Sequence, residues 1–290
     1  MNRTLWVIGL ATAMTLSAAP RPAAAAVPQA PAVPVTAVQL VGWGVNHAGA
    51  LTVGRLVSPV QVAAGSAHVL VLQSDGTVVG TGEQGWSQAF VPSGLDHVVA
   101  VAAGGMSSAA LKSDGSVVGW GYLDKAWMSG LSHVKAIAVA NQTQCAVLDD
   151  GTTTSPTGFG TAPATTDAVS VAAGSIGTGN GSCLALRSDG TVVGWGDNAQ
   201  GQTSIPPGLT GVSAVADGET FGIAVLQTGR VVSWGSRTDL FSSVTNAVGV
   251  AAALGRVALV LDDGRVLDAD TEGGVVSSSS PVIGAISLAV

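Results

Sequence analysis

The chain has 290 residues, of which 47% are hydrophobic and only 10% charged, and 40 are glycine. That composition suits many short strands and tight turns better than long helices. A formal net charge of −7, with lysine only at Lys112, Lys125 and Lys135, excludes the clustered basic surface that nucleic-acid phosphates require.

Residues 1–26 read as a secretory signal. Asn2-Arg3 is a short basic start, Thr4–Ala18 is uncharged and apolar, and Ala24-Ala25-Ala26 offers a small-residue cleavage site. The apolar run is too short for a comfortable membrane span, so a secreted, extracellular protein without stable membrane insertion is expected. Cleavage leaves 9 basic against 18 acidic residues, a balance that favours partners carrying basic groups. Residues 27–35 form a proline-rich extended linker.

Residues 36–290 are built from repeats. Leu40-Val-Gly-Trp-Gly44, Val78-Val-Gly-Thr-Gly82, Val117-Val-Gly-Trp-Gly121, Val192-Val-Gly-Trp-Gly196 and Val231-Val-Ser-Trp-Gly235 end alike. Their final glycines are spaced by 38, 39, 75 and 39 residues, the third being close to two periods. Such a period marks units that cannot bury their apolar faces alone. The unit from Val98 to Gly121 predicts a first strand ending at Gly104, a second strand over Ser108–Lys112, a tight Asp114-Gly115 turn and a third strand over Ser116–Trp120. The same order recurs over 60–82, 169–196 and 212–235. It recurs in weaker form over 134–158 and 248–270. Pro156 predicts that the third strand of the 134–158 unit is weak or confined to an edge.

The chain ends carry half-units. Val38–Gly44 is a third strand without predecessors, and Ile283–Ala289 matches a first strand. The predicted fold is therefore all-β: a seven-bladed β-propeller with mainly three-stranded blades, closed by pairing the N-terminal and C-terminal strands. The shared blade is an incomplete seam.

Ala-Ala-Gly, then Leu-x-Leu, then Asp-Gly-x-Val-Val-Gly-Trp-Gly resembles the regulator of chromosome condensation repeat family. Asp197-Asn-Ala-Gln-Gly-Gln202 followed by Ile205-Pro206 is similar to its bacterial secreted branch, which includes β-lactamase inhibitory propellers. The resemblance implies a propeller that caps a protein partner, a β-lactamase or a related secreted or cell-wall enzyme, through aromatic residues on one face. Of the loops after first strands, only Glu219-Thr-Phe221 retains an aromatic.

Strand direction puts the loops after first and third strands on one face and the Asp-Gly turns on the other. The aromatics outside the repeated Trp-Gly positions all fall in the first group of loops or in the descending connections: Trp86, Phe90, Tyr122, Trp127, Phe159, Phe221 and Phe241. Trp86, Phe90, Tyr122, Trp127, Phe221 and Phe241, with Asp197 and Asn198, are the candidate partner-binding residues. The partner expected is a secreted or cell-envelope protein, met by a monomer. Exposed Trp with Asn and Gln also fits a cell-wall or carbohydrate-binding module. Trp43, Trp120, Trp195 and Trp234 stand at equivalent strand ends and are expected to pack between blades.

No catalytic constellation, metal motif or cofactor site stands out, so the reading is not an enzyme. His47, His68, His97 and His133 lack metal-motif spacing. Gly174–Gly181 lacks the strand-to-helix context of a phosphate loop. Cys145 and Cys183 lie 38 residues apart, one repeat, in second strands of neighbouring units. A secreted chain invites a bond between them, while matching positions in adjacent blades can lie too far apart to bridge.

Overall fold

The computed structural model describes residues 58–175, 181–253 and 256–269, together with Leu56 and the short strands Trp6–Val7, Gly42–Trp43 and Val275–Ser277. Among these residues, six consecutive antiparallel sheets form the blades of a propeller. The first comprises Pro59–Ala64, His68–Gln73 and Val78–Gly82, and the second Val98–Gly104, Ser107–Lys112 and Val117–Gly121. The third comprises Val134–Ala140, Thr143–Leu148 and Thr153–Thr154, and the fourth Ala168–Ser175, Gly181–Arg187 and Val192–Gly196. The fifth comprises Val212–Asp217, Phe221–Leu226 and Val231–Gly235. The sixth has four strands, Ala247–Ala253, Arg256–Leu261, Val266–Ala269 and Val275–Ser277. Inner strands of successive blades are neighbours throughout.

The core lies between blades, so each middle strand is buried on both faces. Side chains alternate across a strand. Leu70 and Leu72 of the first blade therefore pack with Val98, Val101 and Ala110 of the second. Ala109 and Leu111 of the second turn the other way and meet Val134, Val139 and Ala146 of the third. Burial of one such leucine is worth about 1.5–3 kcal/mol. Three of the four repeated tryptophans belong to this core. Trp120, Trp195 and Trp234 are buried. Trp120 Nε1 donates to the Gln88 carbonyl at 2.8 Å, and Trp234 Nε1 donates to the Gln202 carbonyl at 2.8 Å. A polar tip with its own acceptor lets a large ring be buried without an orphaned donor.

Turn glycines join one blade to the next. The carbonyls of Gly76, Gly115, Gly151, Gly190 and Gly229 accept from the backbone N–H of Val98, Val134, Ala168, Val212 and Ala247, which open the following blades. Gly115 can do this because it holds φ +79°, where residues with a Cβ are strained. The glycines after Trp120, Trp195 and Trp234 have a second reason to lack a side chain. A Cβ on Gly121 (φ +88°) would stand 2.4 Å from the Met106 carbonyl oxygen.

Three features depart from the plain repeat or extend it. The outer strand of the third blade shrinks to Thr153–Thr154 at the sheet edge, in keeping with Pro156. The sixth blade gains Val275–Ser277, a strand the repeat pattern does not contain. Gly42–Trp43 pairs antiparallel with Trp6–Val7. Its expected partner in the shared blade, Ile283–Ala289, lies outside the described residues.

Cys145 and Cys183 are bonded, with Cα atoms 6.4 Å apart. They do not occupy matching positions. Cys145 pairs with Ala138 as Ala109 does with Ala102, whereas Cys183 pairs with Trp195 as Ser108 does with Trp120. That one-residue offset places the two side chains on opposite faces of their own sheets, so that they meet across the gap between blades. The bond closes a loop with a sequence separation of 38. Chain-entropy loss in the unfolded state then contributes about 3–4 kcal/mol. Unfolding in urea with and without a thiol reductant should reveal a lower midpoint when reduced, and coincident curves would refute the contribution.

Candidate interaction face

Backbone hydrogen bonds fix the face. Glu83, Tyr122, Asp197 and Ser236 follow outer strands, and their N–H groups donate to the carbonyls of Ala67, Met106, Gly181 and Thr220 at 2.8–3.0 Å. The acceptors lie in, or open from, the links between inner and middle strands, so both sets of loops crowd one end of the molecule.

Two predicted anchors stand in solvent, Trp86 in a loop at that end and Phe90 on the connection descending from it along the outer strand. Trp86 is 53% exposed and Phe90 66% exposed. Trp86 meets Tyr122 of the next connection, with ring centroids 4.8 Å apart and planes tilted by 48°. The loop beneath them is held rigid: the Trp86 N–H donates to Gln88 Oε1 at 2.9 Å, and Gln88 is buried. Trp127 is half-buried on the short helix Lys125–Ser129, where Asp124 caps the N-terminus by accepting from the Trp127 N–H at 3.0 Å. Its ring packs against the core between the second and third blades. Phe159 is half-buried.

The other two aromatics are core residues, which corrects the sequence reading. Phe221 is 1% exposed and Phe241 7% exposed, both in the apolar cluster between the fifth and sixth blades. Phe221 opens a middle strand where the second blade has Ser107, and its ring lies over Gly218, leaving no room for a Cβ there. Phe241 holds φ +57°. Asp197 and Asn198 bind their own loop. Asp197 accepts from the Ala199 N–H and from Gln202 Nε2, and Asn198 Oδ1 accepts from the Thr203 N–H.

His68 is buried and structural. The Ser108 hydroxyl donates to the Gln88 carbonyl, so in the 2.8 Å contact it accepts from Nε2–H of a neutral His68. Burial pushes the His68 pKa down to about 4, outweighing a backbone hydrogen bond involving Ser107.

Sequence reasoning missed a polar centre on the propeller axis. Ser66, Gly105, Met106, Asn141, Ser175, Asp217 and Glu219 line a cavity of about 300 Å³ walled by Ala103, Val139, Ala173 and Ala252. Asp217 is 1% exposed. Burial raises its pKa to about 7. The nearby Ser182 hydroxyl and Glu219 N–H pull the value down, and the charges of Glu219 and Asp197 push it up. Neither carboxylate oxygen closes a hydrogen bond of good geometry. By strand register, the same site holds Ala64, Ala103, Val139, Ala173 and Ala252 in other blades. An aspartate in a column of apolar residues was the available signal.

Among the described residues, no cluster of His, Cys, Asp and Glu is placed to hold a metal ion. No described helix is long and apolar enough to cross a membrane.

Residues 168–202 match the model of the regulator of chromosome condensation (RCC1) repeat. The match spans the fourth blade and the loop that follows it. No curated protein matches the chain. Among solved structures, the CRINKLY WD40 ectodomain of the Arabidopsis thaliana receptor kinase ACR4 is similar at 19% identity and TM-score 0.65, covering 81% of this chain and 88% of that one. The entire ectodomain of the Physcomitrella patens receptor kinase CR4 is similar at 19% identity and TM-score 0.60, covering 75% of this chain, which spans 62% of its length. Human WBSCR16 follows at 16% identity and TM-score 0.55, covering 93% and 89%. At these identities the likeness establishes the propeller fold alone.

Proposed function

We propose that the chain is a secreted, non-catalytic, protein-binding propeller, exported by residues 1–26 and closed by a seventh blade shared between its ends. The observation that carries the binding reading is the exposed Trp86, braced by Tyr122, with exposed Phe90 four residues on. Large rigid aromatics held on an ordered loop lose little entropy when a partner covers them. The partner class proposed is a secreted or cell-envelope protein, with a β-lactamase or related cell-wall enzyme as the first to test. Export removes residues 1–26 and with them Trp6–Val7, freeing the edge of Gly42–Trp43 for a strand from the C-terminal end.

The test is an inhibition and binding assay of the mature protein against purified β-lactamases and secreted cell-wall hydrolases. For a bound enzyme, a Trp86→Ala, Phe90→Ala variant should lose at least about 30-fold in affinity, with an unchanged melting temperature. Equal affinity in the variant rules out this face. Co-sedimentation with purified cell wall, lost in the same variant but without any protein partner, would instead establish the carbohydrate reading, for which the exposed Trp86 ring is equally suited.

A further inference from the structure

We infer that the axial cavity is a socket for one organic cation, an alkylammonium or guanidinium head carried on a short apolar stem. The inference stands on different residues from the Trp86 and Phe90 face and does not depend on it.

The charge is one-sided. Asp217 and Glu219 line the cavity, and among the described residues no Lys, Arg or His does. The acid is built in rather than incidental, because Asp217 replaces the Ala or Val of every other described blade and is 1% exposed. A buried carboxylate without good hydrogen bonds costs stability unless something pairs with it. Ser175, 4% exposed, also lines the cavity, and its hydroxyl has no partner among the described residues. Gly174 makes the approach possible, since a Cβ there would stand 2.2 Å from Asp217 Oδ1.

The remaining wall is Ala103, Met106, Val139, Ala140, Ala173 and Ala252, which suits methylene groups. The described lining, with two carboxylates, suits a single organic cation better than a bare divalent ion. Calcium takes about 6–8 oxygen ligands, and no metal-holding cluster exists among the described residues. About 300 Å³ is the lower end of small-ligand sites. It accommodates a four- or five-carbon amine, or one Lys or Arg side chain of a bound protein.

Ionised Asp217 is the form that pairs with a cation. The other charged groups bearing on it, Glu219 from its own loop and Asp197 from the preceding blade, are both acidic. Occupancy should therefore increase with pH.

The experiment titrates the folded, secreted protein with n-butylammonium chloride and, separately, with Nα-acetyl-lysine N-methylamide, at low salt and at pH 5 and pH 8. Binding is followed by calorimetry and by the amide resonances of Gly174 and Glu219. Saturable binding at pH 8, weakened at least about tenfold at pH 5, and lost in both Asp217→Ala and Asp217→Asn, is the expected result. Binding of both probes assigns the socket to side chains as well as free amines, and binding of butylammonium alone assigns it to free amines. No saturable binding of either probe at pH 8, or equal binding by the two variants, overturns the inference.

Discussion

Asp217→Ala is expected to make the protein more stable at pH 8 by up to about 4 kcal/mol, and to leave its stability unchanged below pH 4. Asp217 has a pKa near 7 in the folded chain against an ordinary value of 3.8. Between those values the native state holds a proton that the unfolded state has released. Stability from this group is thus complete below the unfolded value and falls as pH rises through 7. Alanine removes the ionisable group and restores the residue type of Ala103 and Ala173, which line the same cavity. His68 acts in the opposite direction. Its folded pKa near 4 lies below the ordinary 6.5, so its contribution is present above 6.5 and lost as pH falls towards 4. The two nearly offset one another in the native chain between those limits. The decisive measurement is therefore the difference between variant and parent in urea-unfolding free energy, taken every half unit from pH 4 to 8.5. A flat difference would show that Asp217 ionises normally.

The second large effect separates two kinds of tryptophan. Trp234→Ala is expected to cost about 3–5 kcal/mol, and Trp86→Ala about 0.5 kcal/mol or less. Trp234 is 4% exposed, fills the space between the fourth and fifth blades, and satisfies its indole N–H on Gln202. Its ring also lies against Gly222, leaving no room for a Cβ there. Truncation leaves a large cavity and an unpaired carbonyl that belongs to a buried glutamine. Trp86 is mostly in solvent and leaves neither. Unfolding midpoints of the two variants, measured side by side, check this contrast. Similar losses would mean that Trp86 is part of the packing and not free for a partner.

The repeat made most of the fold legible. Hairpin glycines, alternating Val and Ala, and the constant period specify strand order and direction, and those directions correctly place the two sets of loops together. What the sequence hid depends on side-chain direction and on loop backbone. Phe221 stands at the very start of a middle strand, where the second blade has Ser107, and Phe241 stands in a connection, so the repeat marks neither as buried. Phe221 turns inward because Gly218 leaves space beneath it, and Phe241 because its backbone turns through a positive φ. The cysteines mislead for a related reason. A separation of 38 residues equals one period, yet links of unequal length shift the strand register by one residue. That shift decides which face each thiol occupies. Asp217 was readable in principle, but only after the inner strands were aligned to the residue.

The hydrogen bond between a turn glycine and the next blade, made at five turns, has an implication for how such chains change length. Both its donor and its acceptor are main-chain atoms. The turn aspartate can become Thr228, as it does before Gly229, without affecting the bond to Ala247. A junction that asks only for glycine at the turn, and nothing of the side chains around it, is compatible with different neighbouring blades. Duplication or deletion of a whole unit therefore preserves this connection, while inter-blade side chains adapt afterwards by ordinary substitution. Exceptions would concentrate where two blades are bound covalently, between the third and fourth. There a unit inserted between Cys145 and Cys183 would leave two thiols without a reachable mate.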